Sequence, residues 1–507
     1  MANKQHSSRI KSYRTDRLSE IPTMASAISK KISLFKEQHR NLVEESQSFF
    51  ENYKDDRKQL YKLKKRMATY NEHINTIEEY KKKNGKLPKV KGQESTEKFL
   101  RTLYNSHDKD KKEYKETMQR LNAERIHRYE GLDHLVDNML DLLDSNKIFS
   151  QFLGTIALST PLPDEKVRCV RNEKFKPIYI AALTVGLFDQ IRCKVDFNVE
   201  YLNRHLSEIF NNDTIKLGLH DPAMPAEVKI AYREEILKPL ANAALIQHIG
   251  SYSPEAEAIF DDDRYRQLTL HEREQLIEVL HAKSMDYMKY AIGIPPKRFD
   301  NKDDKQAYMD YESGKMQFTL SILNSLSQQQ NELGDVLRIP MVYSSFMVST
   351  KPDFDYEEIY DAYNIIAKGA KQQRYRQDYA ELFLNMVGRF PLGSGIFFIS
   401  QESGVIERGI VSSLYPEDAD SAICKQITKN QIQSLSQTEV VVDKKTNIYF
   451  KEARNLSEYE PEYFKQRFED EYTWNANALW EVQVPALTFW KKDGTIKFNS
   501  LEEQEES

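Results

Sequence analysis

The sequence predicts a mainly α-helical protein: an N-terminal helical hairpin or coiled-coil arm, an all-helical middle domain and a small β-rich C-terminal extension. Three observations predict it. Between Ala25 and Lys83 there is no glycine or proline, and apolar residues recur at gaps of three, four and seven. From residue 165 to 385 one apolar helical pattern follows another. After Phe390 the texture changes, with Gly393, Gly395, Gly404 and Gly409 punctuating short β-branched and aromatic runs.

Taken in order, residues 1–24 form a basic tail. The first 40 residues hold nine Lys/Arg, among them Lys4, Arg9 and Arg14, against Asp16, Glu20 and Glu37. Such a stretch reads as a solvated tail, or as an electrostatic docking arm. The helical arm covers residues 25–158. Its first helix carries Ile32, Phe35, Leu42, Phe49, Phe50, Tyr53, Leu60, Leu63, Met67 and Tyr70 on one face. Asn84-Gly85-Lys86-Leu87-Pro88 breaks it. A second helix, Ser95 to Leu143, carries Leu103, Leu121, Leu132, Leu135 and Met139. Two prolines in Ser159-Thr-Pro-Leu-Pro-Asp164 mark a domain boundary. Helices are then expected at Ile178–Ile191, Asn198–Phe210, Ala226–Gly250, Leu270–Tyr290, Asp310–Gln329, Val336–Met347, Tyr356–Lys368 and Tyr375–Val387, within a domain spanning 165–388. Short strands are expected at Ile396–Ile399, Val405–Ile406, Ile410–Val411, Val440–Val442 and Ile448–Phe450, in an extension spanning 389–498. An acidic tail, 499–507, closes the chain.

Bulk properties narrow the function classes. The 507 residues suffice for two to four domains. A net charge of −5 argues against a dedicated nucleic-acid binder. Cys169, Cys193 and Cys424 share no metal-type spacing and point to a reducing compartment. The polar N-terminus is not a signal peptide, and no run of eighteen apolar residues offers a membrane span. A cytoplasmic location is therefore expected.

Three stretches carry a resemblance. The first is Leu240-Ala-Asn-Ala-Ala-Leu-Ile-Gln-His-Ile-Gly250, followed by Gln267-Leu-Thr-Leu-His-Glu-Arg-Glu274 and Ile292-Gly-Ile-Pro295. The second is Gly334-Asp-Val-Leu-Arg-Ile-Pro-Met-Val-Tyr343 with Lys351-Pro352. The third is Phe383-Leu-Asn-Met-Val-Gly-Arg-Phe-Pro-Leu-Gly-Ser394, then Ile396 to Ser400, Gly404 to Val411 and Tyr415-Pro-Glu-Asp418. In this order and spacing, residues 170–420 resemble the HD-GYP branch of the HD superfamily, whose members hydrolyse cyclic di-GMP. The resemblance implies an HD-type helical domain and a site in which histidines and aspartates hold two or three divalent metals that generate hydroxide and clamp a phosphate.

At the positions where the resemblance places ligands, this chain has other residues. Lys176 stands near the first histidine. Gln247 and His248 replace the His-Asp pair, which removes a bridging carboxylate. His281 is in register with the next histidine, and Met341 stands for a later aspartate. After His281 the chain has no histidine. No cofactor and no catalytic or metal residue is therefore assigned, and Lys176, Gln247, His248, His281 and Met341 are degenerate ligand positions. His220-Asp221 spells the motif but sits in a proline-bearing loop. Asp261-Asp-Asp263 reads as a solvated loop or a helix N-terminus, and Arg374 and Arg376 as a helix start facing water.

The resulting expectation is a catalytically inactive pseudoenzyme of the HD-GYP type in a bacterial cytoplasm. It would act as a regulatory or scaffold protein in cyclic di-GMP signalling, sensing a cyclic dinucleotide. It would join a protein partner, or a second copy, through the helical arm. Two alternatives stand beside it. One is a divergent metal-dependent phosphodiesterase drawing ligands from Asp300, Asp303, Asp304 or Glu312 with His281. The other is a purely structural coiled-coil interaction protein.

Overall fold

The computed structural model describes residues 24–143, 145–160, 164–427, 439–469 and 471–474. The expected basic tail, the prolines of the linker and the acidic tail lie outside the described residues, apart from Met24. The architecture is mainly helical, with a small antiparallel sheet near the C-terminus.

The arm is an antiparallel hairpin of α1 (Met24–Asn84) and α2 (Thr96–Leu140). Its turn falls at the expected break, where Gly85 adopts φ +70°, a conformation natural to glycine. Ser95 caps α2 by accepting a bond from the Lys98 amide. Along the hairpin, polar pairs join the helices: Arg66 grips Asp110 with two bonds of 2.7 and 2.9 Å, and Gln59 donates to Glu113 at 2.9 Å.

The helical body follows. It comprises α3 (Asn146–Ser159), α4 (Glu165–Arg192), α5 (Glu200–Ile209), α6 (Ala226–Tyr232), α7 (Lys238–Ile246), α8 (Pro254–Phe260), α9 (Leu270–Asp286), α10 (Lys302–Ser325), α11 (Glu332–Met347), α12 (Asp361–Lys371) and α13 (Gln377–Val387). Between α6 and α7 the helix widens into a π-turn, Arg233–Leu237. Pro239 explains it. Proline has no N–H for the carbonyl four residues back. That carbonyl, on Glu235, accepts the Tyr201 hydroxyl at 2.8 Å instead. α9 opens on a reciprocal cap between Thr269 and Glu272.

The sheet has strand order β4-β3-β2-β1-β5, with β1 (Gly395–Ile399), β2 (Ile406–Val411), β3 (Ala422–Ile427), β4 (Glu439–Val442) and β5 (Thr473–Trp474). The expected runs at Val405–Ile406 and Ile410–Val411 form one strand, continuous through Gly409. Ile448–Phe450 is not a strand. The chain touches β1 there in one bridge, Phe398 to Asn447, and turns into α14 (Lys451–Leu456) and then α15 (Pro461–Phe468).

One apolar core runs through body, sheet and the base of the arm. It includes Ile28, Phe35, Phe49, Leu132, Leu135 and Met139 together with the interior of α4 and α7. Phe35 meets Phe152 edge-on at 5.7 Å, and Phe49 meets Tyr287 at 5.6 Å. A separate small cluster of Ile74, Ile77 and Leu103 closes the far end of the hairpin. Among the described residues no helix is long and apolar enough to cross a membrane.

Candidate functional site

The site is built where α1, α4 and the end of α7 meet. α7 is buried from Lys238 to Ile246 apart from half-buried Asn242, so it drives its C-terminal end into the interior and leaves His248 there. α4 places Glu173 and Lys176 three residues apart, hence on one face. α1 brings Lys36 and His39, one turn apart.

Glu173 is the anchor, and it is occupied. Its Oε1 accepts from Arg264 at 2.9 Å and from the Tyr252 hydroxyl at 3.1 Å, and its Oε2 accepts from the Tyr265 hydroxyl at 2.5 Å. Burial pushes the carboxyl pKa up, but the Arg264 charge, these hydrogen bonds and nearby His248 outweigh it and hold it below its ordinary value. Arg264 also lies over the Tyr252 ring at 4.5 Å and donates to the Ser251 carbonyl at 3.0 Å. The group is a rigid floor of one carboxylate and three donors.

Two side chains at this floor are open. Lys176 forms no hydrogen bond or ion pair among the described residues. It is half-buried and deeply enclosed, and burial, followed by the charge of Lys351, brings its pKa down to about 8. His248 likewise has no hydrogen-bond partner among the described residues and stands edge-on to Tyr252 at 6.3 Å. Burial lowers its pKa to about 4; Glu173 opposes that shift, while Lys176 and Arg264 add to it. Both side chains are deeply enclosed yet keep some accessible surface. Beside them, His39 is 2% exposed with its Nδ1 unpartnered, and its pKa also falls to about 4, chiefly by burial. Lys36 lies 4.7 Å over the Phe175 ring, and Arg171 and Lys174 are close enough to lower its pKa after burial has done so. With Glu173 occupied, the open groups are cationic or neutral donors, a set suited to an anion.

Of the five degenerate positions, Lys176 and His248 come together. Gln247 is buried, and its carbonyl accepts from Ser284 Oγ at 3.2 Å. His281 lies on α9 next to Leu280, whose carbonyl covers Gly250, and its Nε2 is buried without a partner. Met341 is half-buried on α11, packed on the main core. Among the described residues no three His, Cys, Asp or Glu side chains group as a metal site.

Other candidates are engaged elsewhere. Asp261 and Asp262 take positive φ at the C-terminal end of α8, not at a helix N-terminus. Arg376 pairs with Asp378 at 2.6 Å and Glu332 at 3.5 Å. Asn301 caps α10 by accepting from the Asp304 amide at 2.7 Å, and Glu312 accepts from Tyr129 at 3.0 Å. Glu173, Arg264, Tyr265 and His39 were not singled out from sequence. Glu173 and its donors are separated by 79 to 92 residues, and no local spacing betrays a pair so remote.

Comparison with protein-family models, with curated proteins and with solved structures returns no match for this chain.

Proposed function

We propose that the chain is a regulatory or scaffold protein whose body is of the HD-GYP type, without a catalytic metal pair, and that a cleft at Lys176 and His248 senses a cyclic dinucleotide. The observation that carries this reading is Lys176. It puts an unpaired ammonium beside His248, at a position where the resemblance calls for a metal ligand. A fixed cation there opposes the binding of a second cation and favours a phosphate oxygen. His248 adds a neutral donor near pH 7, because its pKa of about 4 keeps it uncharged. Arg168 supports the same side of the cleft. It donates to the carbonyls of Ser349 (3.3 Å), Lys351 (2.6 Å) and Pro352 (2.9 Å), which fixes the loop that carries Lys351.

The test is calorimetric titration of the purified full-length protein with cyclic di-GMP, alongside elemental analysis and a hydrolysis assay. The expected result is binding without turnover and without stoichiometric iron or manganese. Binding should weaken by at least about tenfold in Lys176→Glu, since a charge-assisted bond contributes about 1.5–3 kcal/mol. Two metals per chain together with hydrolysis lost in His281→Ala would instead establish the divergent phosphodiesterase. Absence of nucleotide binding would leave the scaffold without a sensing role and defeat the cleft assignment.

A further inference from the structure

The far part of the arm carries a charge that the fold does not use. Residues 57–120 hold nineteen Lys/Arg and nine Asp/Glu, an excess of ten positive charges. The whole chain has −5, so everything else carries an excess of fifteen negative charges. The near-neutral total hides a segregated molecule. Among the described residues, every hydrogen bond or ion pair that crosses between elements from Gln59 to Arg120 joins the two hairpin helices or their turn, and none reaches the body. The segment is a rod about 40 Å long by its helical rise.

Solubility does not require this excess. A balanced Glu/Lys hairpin would be as soluble and would gain i,i+4 pairs, whereas surplus cations repel one another. At the tip, Lys81, Lys82, Lys83, Lys86, Lys89 and Lys91 are all exposed, and none makes an ion pair among the described residues. Large aromatic surfaces stand among the cations. Tyr61 is 69% exposed, Tyr80 41% and Tyr104 39%.

The shape selects the partner. Ile74, Ile77 and Leu103 are buried between the helices and half-buried Leu87 and Val90 of the turn pack against them, so no exposed aliphatic side chain among the described residues of the tip offers a wedge to a lipid layer. Two helices side by side are about 20 Å wide, too wide for a duplex major groove of about 12 Å. Cations on several faces, with rings between them, match a flexible polyanion that follows the rod and stacks bases on it. We propose that the distal hairpin is a docking rod for single-stranded nucleic acid, held by lysine–phosphate contacts and by stacking on Tyr61 and Tyr80. This inference is independent of the cleft and its ligand.

The experiment measures anisotropy of labelled single-stranded RNA and DNA of about 20 nucleotides with the full-length protein, from about 50 to 300 mM salt. Binding should weaken steeply with salt. Lys81→Glu/Lys82→Glu/Lys83→Glu should cost at least about tenfold and lower the salt slope by roughly two. Tyr61→Ser should cost at least about fivefold with the slope unchanged. Both variants lie outside the main core, so circular dichroism should be that of the parent. No binding at the lowest salt overturns the proposal, as does binding that the triple variant leaves intact. Equal capture by phosphatidylserine vesicles would reassign the rod to lipid. Salt-sensitive self-association abolished by the same variant, with no oligonucleotide bound, would reassign it to a second copy.

Discussion

At the scale of single residues, buried histidines set the pH response. His39 titrates near 4 in the folded chain and near 6.5 when unfolded. Between those values the unfolded chain takes up a proton that the folded one refuses. Stability is therefore highest above pH 6.5 and falls as the pH drops toward 4, by about 3 kcal/mol for this group. His248 adds a loss of the same sign. Glu173, His248 and Lys174 all act on His39, so replacing it changes more than one titration. Denaturant melts of His39→Leu at about pH 5 and 7 should show a smaller difference than the parent, and an unchanged difference would refute the account. A second residue-scale prediction concerns Gly334. A Cβ there would lie 2.2 Å from the Ser325 carbonyl oxygen, which joins the ends of α10 and α11. Gly334→Ala should lower stability by about 1–3 kcal/mol or more, read from the same melts. At this scale sequence was a partial guide. Lys176 and His248 were named from sequence, as departures from the words of the resemblance, and their nearness to each other comes from the fold. Glu173 and His39 were not, since what distinguishes them is burial beside distant partners.

At the scale of elements, helices were more legible than strands. Most of the expected body helices appear, because an apolar stripe over three turns is a long signal. Their starts were harder to place. α4 begins at Glu165 and runs through Pro177, thirteen residues before the expected Ile178, and the polar turns of Arg168 and Asn172 concealed it. Those residues are buried against carbonyls of the 349–352 loop, a tertiary reason absent from local pattern. β3, Ala-Ile-Cys-Lys-Gln-Ile, was missed because Lys425 and Gln426 break its apolar run, although Cys424 and Ile427 are buried. Ile448–Phe450 misled in the opposite sense. Its β-like composition serves packing, with Ile448 buried against Phe464 and Phe468. The hairpin yields the element-scale prediction. Its distal cluster is separate from the main core, so Leu103→Ala should open the tip locally. Hydrogen exchange in residues 70–104 should speed up as expected for a loss of about 2–5 kcal/mol, while α4 and α7 keep their protection. Uniform loss throughout the chain would mean that the two clusters unfold as one.

For the whole molecule, the arm is two things in sequence. Its base is core: Ile28, Ile32, Phe35, Leu42, Phe49 and Phe50 on α1 pack with Leu132, Leu135, Val136 and Met139 on α2 and with the body. The aromatic residues of this helix face are thus occupied within the chain, Phe49 and Phe50 against Tyr287 and Tyr53 stacked on Tyr290 at 5.3 Å. Its distal part is a rod that, from Gln59 to Arg120, makes no hydrogen bond or ion pair with the body among the described residues. Cutting at the two places should therefore have opposite results. Removal of residues 1–150 would strip one side of the continuous core and expose buried faces of α4 and the segment after α9. Each large buried side chain lost from a core costs several kcal/mol, and total stability is of order 5–15 kcal/mol, so that truncation should aggregate or fail to fold. Replacing residues 60–116 with a loop of about four residues removes no part of the main core. That protein should keep its near-ultraviolet dichroism, its cooperative unfolding and any ligand binding in the cleft, while losing whatever the rod binds. Size-exclusion chromatography and melting of the two shortened proteins side by side decide the matter. A well-folded 151–507 fragment would show that the base of the arm is an appendage and not part of the core.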